Sequence, residues 1–227
     1  KVFGYQYELD PSSRKWTAGI YDEGRRDWLY PLTLDPAAQN VFKLHEFNKV
    51  KVECFHHNIR TWINGQPAAY LVDTFDKNGF IGLQVHAVSK PEDAGKKIFF
   101  RNIRIMSIAK PLPDFPKNIY VVNNIPNNLS AYEKQNGWRL LFDGKTSGGW
   151  VGAYKNNFPE KGWVIKDGII TVLSSNGAEA TNGGDIVTKE QFSAYDLSFE
   201  FKLTPGANSG VKYFVTLTEN NAGSAIG

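Results

Sequence analysis

Alternating apolar and polar residues mark the first element of the chain, over residues 4–10. The apolar members are Tyr5, Tyr7 and Leu9, and the polar members are Gln6, Glu8 and Asp10. Because successive side chains of a strand point to opposite faces, the pattern predicts a β-strand with one polar face. Residues 11–46 show few such signals, and a long loop is predicted there.

Two apolar rows predict a β-hairpin over residues 49–64. Val50, Val52 and Cys54 form one row, and Ile59, Thr61 and Ile63 form the other. His56, His57 and Asn58 fill the turn between the rows, and Asn64-Gly65 is a strong signal for a second tight turn. The alternation assigns Cys54 to the core as a small apolar residue.

The remaining strands are predicted on both sides of a proline-rich segment. They cover residues 80–87, 98–105, 138–142, 163–166, 169–173, 185–188, 195–203 and 209–217, with Asp167-Gly168 as another hairpin turn. Residues 110–136 contain four prolines and several asparagines, which predicts a linker between segments 1–109 and 137–227. Helical periodicity never extends beyond a turn or two. The fold class is therefore all-β, a two-sheet jelly-roll sandwich.

Composition and charge argue against several kinds of binding site and structural element. The net charge is +3 and the charged residues are interspersed, whereas a nucleic-acid site needs clustered Lys and Arg. Cys54 is the single cysteine, which excludes an internal disulfide and a cysteine-based zinc site. No apolar run approaches the ~20 residues of a membrane span, and no signal peptide is visible.

Several motifs together resemble the 3-keto-disaccharide hydrolase domain family. The second segment carries the family's opening motifs, Leu140-Leu141-Phe142-Asp143-Gly144-Lys145, Gly162-Trp163, Gly183-Gly184-Asp185-Ile186, Phe199-Glu200-Phe201-Lys202 and Asn208-Ser209-Gly210-Val211-Lys212. The first segment carries the closing motifs, namely the strand from Gly4 to Asp10, Trp62-Ile63-Asn64-Gly65, Gly82-Leu83-Gln84-Val85-His86 and Phe100-Arg101-Asn102-Ile103. This resemblance implies a concanavalin A-like jelly roll with two antiparallel sheets, akin to family 16 glycoside hydrolases.

The order of these motifs is inverted, because the closing half precedes the opening half. Either the chain is the middle of a tandem protein, or it is a permuted single domain. Our hypothesis is a tandem origin, with residues 1–109 and 137–227 completing one sandwich within a chain or between chains. Sheet edges left open by each half could also support self-association.

Polar residues of one alternation class are the candidate site. Carboxylate, amide, imidazole, ammonium and indole groups together suit a sugar site, although each residue taken singly is better explained as part of a solvated outer face. The candidates are Gln6, Glu8, Asp10, Trp62, Gln84, His86, Glu200 and Lys212. Arg25, in a stretch of charged and aromatic residues, could contact substrate from the rim or pair with Asp22 and Glu23.

The resemblance implies a 3-keto glycoside as substrate. The ketone acidifies the proton at C2, so the glycosidic bond can break by elimination followed by hydration. Glu8 or His86 suits the base, and Lys212 or a divalent cation suits the enolate oxygen. The sequence implies no definite cofactor and shows no short-spaced metal motif. Many family members have Glu and then Gln at the two polar positions that are Gln6 and Glu8 here.

Three functions follow as hypotheses. The first is a carbohydrate-active hydrolase or lyase acting on 3-keto-disaccharides, which the family implies is exported to the periplasm or cell surface of a bacterium. The alternative is a non-catalytic carbohydrate-binding module, because the same architecture serves lectins. A structural module of a larger envelope protein is the third.

Overall fold

The computed structural model describes residues 2–84, 90–91, 95–107, 113–174 and 183–217. Two compact units divide the chain. Unit 1 comprises Lys1–Ile125 and Leu129–Trp138, and unit 2 comprises Pro126–Asn128 and Arg139–Gly227. The fold is all-β, as predicted, with the antiparallel sheets of a jelly-roll sandwich. Helices in the described ranges are too short to cross a bilayer.

The first sheet of unit 1 has three antiparallel strands in the order β1-β2-β3. The strands are β1 (Gly4–Tyr7), β2 (Ile20–Glu23) and β3 (Asp27–Tyr30). The loop predicted over residues 11–46 is therefore wrong where β2 and β3 form a hairpin. Ile20 and Asp22 both point inward and are buried. A buried carboxylate in the inward row breaks the apolar alternation that identifies a strand.

The second sheet of unit 1 has four strands in the order β4-β5-β6-β7. They are β4 (Val50–Phe55), β5 (Asn58–Ile63), β6 (Gln66–Val72) and β7 (Val121–Asn123). The predicted hairpin is confirmed, with Val50 paired to Ile63 and Phe55 to Asn58. Both tight turns contain left-handed residues, His56 in one and Asn64-Gly65 in the other. β7 runs parallel to β6, unlike every other described pair.

The two sheets of unit 1 enclose its core. Ile20 and Tyr30 of the first sheet pack against Ile59, Ala69 and Leu71 of the second. A neighbouring cluster consists of Ala18, Leu32, Ala38, Ile63 and Ala68, where Leu32 and Ala38 come from two short 3-10 helices, Leu32–Leu34 and Ala38–Asn40. Burial of these apolar side chains is the main force that holds the layers together.

The described part of the proline-rich segment packs into unit 1, whereas the sequence predicted a linker. Phe115 and Ile119 pack against Tyr70 and Val72, so they cover the second face of the four-stranded sheet. Helix α1 (Ala131–Gln135) follows and is capped by Ser130, whose side chain accepts from the Glu133 backbone while Glu133 reaches back to Ser130. Residues 113–125 and 129–136 therefore contribute to unit 1.

The described part of unit 2 contains two antiparallel strand pairs. Its strands are β8 (Trp150–Gly152), β9 (Trp163–Lys166), β10 (Ile169–Val172) and β11 (Ile186–Thr188), paired β9 with β10 and β8 with β11. Asp167 and Gly168 both have positive φ, as the predicted hairpin turn requires. The indole N–H of Trp163 donates to the Gly184 carbonyl at 2.8 Å and thereby ties β9 to the residues before β11.

Five predicted strands do not form in the described residues. They are 80–84 of the 80–87 prediction, 98–105, 138–142, 195–203 and 209–217; residues 85–87 lie outside the description. A strand needs a partner that takes up its backbone hydrogen bonds, and these segments join none of the described ladders. Their apolar rows are consequently exposed, as in Phe80, Phe199 and Phe201. Assembly of the two halves into one sandwich stays a prediction.

Candidate functional site

The outer face of the three-stranded sheet carries a mixed polar and aromatic surface. Gln6 on β1 pairs with Tyr21 on β2, and Tyr21 pairs with Trp28 on β3. Because paired residues lie on the same face, these three side chains share a row across the sheet. Their neighbours Tyr5 and Tyr7 pack against the core. Alternation thus separates the core from the candidate surface.

Glu8 lies just beyond β1 on this face. Its backbone N–H donates to the Gly19 carbonyl and its carbonyl accepts from the Ala18 N–H, both at 3.1 Å, which fixes the position of the residue. The Gln6 side-chain amide donates to Glu8 Oε2 at 2.9 Å. Arg14 Nη2 lies 4.0 Å from Glu8 Oε1. The carboxylate is thus held by an amide and a cation while 19% of the side chain stays exposed.

Two indole rings surround the cation beside Glu8. The Arg14 guanidinium lies 4.6 Å from the ring centre of Trp16 and 4.9 Å from that of Trp28. The two rings meet edge to face at 4.6 Å, and Tyr21 packs against Trp28 at 5.1 Å. Cation–π contacts of this kind hold a guanidinium in place without neutralising it. A positive charge and an aromatic surface therefore border the same carboxylate.

Asp10 shapes the loop that presents Arg14. Its carboxylate accepts from the backbone N–H of Ser12 at 2.9 Å and of Trp16 at 3.1 Å, and from Arg14 Nε at 2.9 Å. Burial acts to raise the pKa of Asp10, but the hydrogen bonds from Ser12, Arg14 and Trp16 prevail and hold it at about 2. Because Asp10 is only 4% exposed, it positions Arg14 and does not offer its carboxylate to solvent.

Tyr21 adds a hydroxyl to the edge of this face. Its O–H donates to Asp27 Oδ1 at 2.8 Å, and this hydrogen bond raises the pKa of Tyr21. The sequence prediction missed Arg14, Trp16, Tyr21 and Trp28, because all four fall in the segment predicted as a loop. Recognising Ile20–Glu23 as a strand despite its buried aspartate would have placed Tyr21 on the surface with Gln6.

Arg25 lies away from this surface in a network of buried acids. Its Nε donates to Asp22 Oδ1 at 2.7 Å and its Nη2 to Asp76 Oδ2 at 2.5 Å. Arg26 bonds Asp22 and also Asp73, so two arginines share the buried Asp22. The hydrogen bond from Arg25 lowers the pKa of Asp76. Of the two roles predicted for Arg25, the structure shows pairing with acids.

Trp62 lies on the other sheet of unit 1. Its ring meets Phe115 edge to face at 5.2 Å, and Lys51 Nζ lies 4.2 Å from its centre. Lys51 is also paired with Glu53 Oε1 at 2.5 Å. Together with Lys49, Val50 and Gly65, Lys51 and Trp62 line a shallow groove of about 380 Å³. The structure thus separates Trp62 from the Glu8 surface, which is built on the three-stranded sheet.

The other four predicted site residues belong to other segments of the chain. Gln84 is exposed and lies outside the strands of unit 1, and His86 lies outside the described residues. Glu200 is exposed on an unpaired segment of unit 2. Lys212 Nζ pairs with Asp185 Oδ2 at 3.1 Å in the same unit. Within the ranges that the structure describes, no group of three or more His, Cys, Asp or Glu side chains is arranged to hold a metal ion.

Comparison with known proteins matches the chain to one family. A profile of the 3-keto-alpha-glucoside-1,2-lyase-like domain matches residues 1–106 and 137–226. A curated protein of Bacteroides thetaiotaomicron, named 3-keto-disaccharide hydrolase, is 42% identical over 79 residues. That alignment covers 34% of this chain and 27% of the relative's length. The chain therefore spans about a quarter of that protein.

Proposed function

Because the chain belongs to the family of 3-keto-alpha-glucoside-1,2-lyase-like domains, we propose that it cleaves the glycosidic bonds of 3-keto-disaccharides or related glycosides. The family is one of carbohydrate hydrolases and lyases, and the relative from Bacteroides thetaiotaomicron carries a matching name. The observation that carries the proposal is the partly exposed Glu8 carboxylate, held by Gln6 and Arg14 beside two indole rings.

The chemistry proposed for Glu8 is proton removal. A ketone at C3 of the sugar acidifies the proton at C2, and Glu8 takes that proton as the general base. The electron pair left at C2 forms the enolate, then returns to expel the leaving group from C1, and the departing oxygen takes up the proton from Glu8. Water adds across the resulting double bond and completes the net hydrolysis. Each step moves one proton or one electron pair, so an external oxidant is unnecessary.

Arg14 is the cation that unit 1 places beside this base. Positive charge near the enolate oxygen stabilises the negative charge that develops there. Arg14 lies 4.0 Å from Glu8 and is 43% exposed on its side chain, so it is reachable by a ligand. The role predicted for Lys212 therefore passes to Arg14 in this proposal, and His86 stays a predicted alternative base.

The aromatic residues support sugar binding. Pyranose rings have apolar faces formed by C–H groups, and indole and phenol rings bind these faces while polar groups bind the hydroxyls. Trp16, Tyr21 and Trp28 provide the aromatic groups, and Gln6 provides an amide. The same four residues also support the second candidate, a carbohydrate-binding module without catalysis, because aromatic rings and an amide are sufficient for binding.

Replacing Glu8 separates the two candidates. The protein is incubated with a 3-keto-disaccharide and, separately, with its unoxidised parent, and the products are identified by mass spectrometry. We expect cleavage of the keto form alone, with deuterium incorporated at C2 in D₂O. Glu8→Gln should lower turnover by about a hundredfold or more, the usual contribution of a general base. Glu46→Gln is the matched control, because Glu46 forms an exposed pair with Lys43 elsewhere.

Each outcome assigns a function. Cleavage of the parent would replace the elimination route with direct hydrolysis. Sugar binding without cleavage, retained at similar affinity in Glu8→Gln, would establish the binding module. Full turnover by Glu8→Gln would exclude Glu8 as the base.

A further inference from the structure

Strand β4, at one end of the four-stranded sheet, has an edge that no strand of the described residues pairs with. Strand β4 (Val50–Phe55) is six residues long and stands at one end of the order β4-β5-β6-β7. An edge strand presents backbone N–H and C=O groups that can pair with another strand. Val50, Lys51, Val52 and Cys54 of this strand are exposed.

The backbone groups that point outward can be identified. The Asn64 N–H donates to the Lys49 carbonyl at 2.8 Å, in register with the pairing of Val50 with Ile63. Hydrogen-bonded pairs alternate along an antiparallel ladder, so Lys51 and Glu53 also bond to β5. The N–H and C=O groups of Val50, Val52 and Cys54 consequently point away from the sheet.

The side chains of β4 separate into two rows. Val50 and Val52 are 47% and 46% exposed, although they face the same way as the buried Ile63 and Thr61 opposite them. Cys54 continues this apolar row and is exposed, so its predicted place in the core is corrected. Lys51 and Glu53 form the other row and pair with each other. Glu53 Oε2 is buried and has no hydrogen-bond partner among the described residues.

A second copy of β4 fits this edge in one register. Two copies of β4 related by a two-fold axis pair antiparallel. They can hydrogen-bond only through the residues whose backbone groups point outward, namely Val50, Val52 and Cys54. Three registers pair more than one outward residue of β4 from each copy, and they are centred on Lys51, Val52 or Glu53. The first places Lys51 opposite Lys51, and the third places Glu53 opposite Glu53; like charges directly opposite are destabilising. Centring on Val52 places Lys51 of each copy opposite Glu53 of the other.

We propose that β4 is a self-association surface whose partner is a second copy of this chain. The two strands pair antiparallel about Val52, and the two four-stranded sheets become one continuous sheet of unit 1 from both copies. Val50 of each copy then lies opposite Cys54 of the other, so the exposed apolar rows meet. A single strand pair buries little surface compared with stable dimers, so association is weak and depends on concentration.

Disulfide trapping tests the register directly. Cys54 is the only cysteine in the chain, and in the proposed register two copies of Cys54 lie too far apart to join. Val50→Cys provides a partner for Cys54 of the second copy, at a separation that a disulfide can bridge. Mild oxidation should convert most of this variant to a covalent dimer on non-reducing gels. Wild type and Val50→Cys with Cys54→Ser, the matched controls, should give no covalent dimer on these gels.

Charge reversal tests the same register without a new bond. Each of the single variants Lys51→Glu and Glu53→Lys creates two pairs of like charges in the dimer. We therefore expect the dimer dissociation constant, measured by analytical ultracentrifugation, to rise about tenfold or more. The combined Lys51→Glu and Glu53→Lys variant should restore it to near the wild-type value. Circular dichroism spectra establish that each variant is folded.

Three results would overturn the proposal. They are a monomer at every concentration, a dimer indifferent to both single reversals, and trapping that persists when Cys54 is replaced by serine. None of these measurements depends on enzymatic activity, so failure of the proposed function would leave them unaffected.

Discussion

The side-chain amide of Gln6 donates to Glu8 Oε2 at 2.9 Å, so one residue of the polar row orients the next. The two residues are consecutive members of one alternation class, where a strand places side chains on the same face. Arg14 approaches the opposite oxygen, Oε1, at 4.0 Å. The carboxylate therefore has one partner on each oxygen, and its orientation depends on both.

Removing the amide of Gln6 should affect the rate more than binding. We expect Gln6→Met, which keeps the length of the side chain, to lower kcat about tenfold, because a misplaced base loses effective alignment with the C2 proton. KM should rise by a smaller factor than kcat falls, and the free energy of unfolding should change little. Gln135→Met on the exposed helix α1 is the control. Equal losses in kcat and stability would instead indicate a structural role for Gln6.

Asp10 should make the protein less stable in acid. Its folded-state pKa of about 2 lies below the unfolded value of ~3.9. The stability from this carboxylate is therefore fully present above about pH 4 and is lost as the pH falls towards 2, with a total of about 2 to 3 kcal/mol. Urea denaturation across this range should show the slope in wild type. Asp10→Asn should be less stable at pH 7 and should lack this part of the slope.

Asp22 should be one of the most sensitive positions of unit 1. It is fully buried and bonds both Arg25 and Arg26. Asp22→Asn keeps the shape but leaves two guanidinium groups without their central anion, and we expect a loss of about 2 to 4 kcal/mol in the free energy of unfolding. Glu190→Gln breaks the pair with Arg139, in which both side chains are 57% exposed. That control should change stability by less than about 0.5 kcal/mol.

Thr61 should stabilise unit 1 through its hydroxyl. It is 1% exposed, donates to the Ala18 carbonyl at 2.7 Å and accepts from the Ala69 N–H at 3.0 Å. Thr61→Val replaces the hydroxyl with a methyl group of similar size and leaves a buried carbonyl and N–H unpaired. We expect a loss of about 1 to 3 kcal/mol, measured by thermal and urea denaturation. Thr171→Val on the exposed face of β10 should be nearly neutral.

Sequence patterns correctly predicted the elements that depend on residues close to one another in the chain. The hairpin of β4 and β5 follows from two apolar rows, and the turns at Asn64-Gly65 and Asp167-Gly168 follow from residues that tolerate positive φ. Strand β1 follows from alternation, which also placed Gln6 and Glu8 on one face. These features depend on neighbours within a few residues, which a sequence records directly.

Tertiary contacts decided the rest. Asp22 belongs to a strand because Arg25 and Arg26 neutralise it inside the protein, and Asp10 is buried because three donors surround its carboxylate. Arg14 reaches Glu8 only because that loop turns back over Trp16 and Trp28. The sequence by itself determined the all-β class, the turns and the shared face of Gln6 and Glu8. Which charges are buried, and which cation borders Glu8, depends on residues distant along the chain that only folding brings into contact.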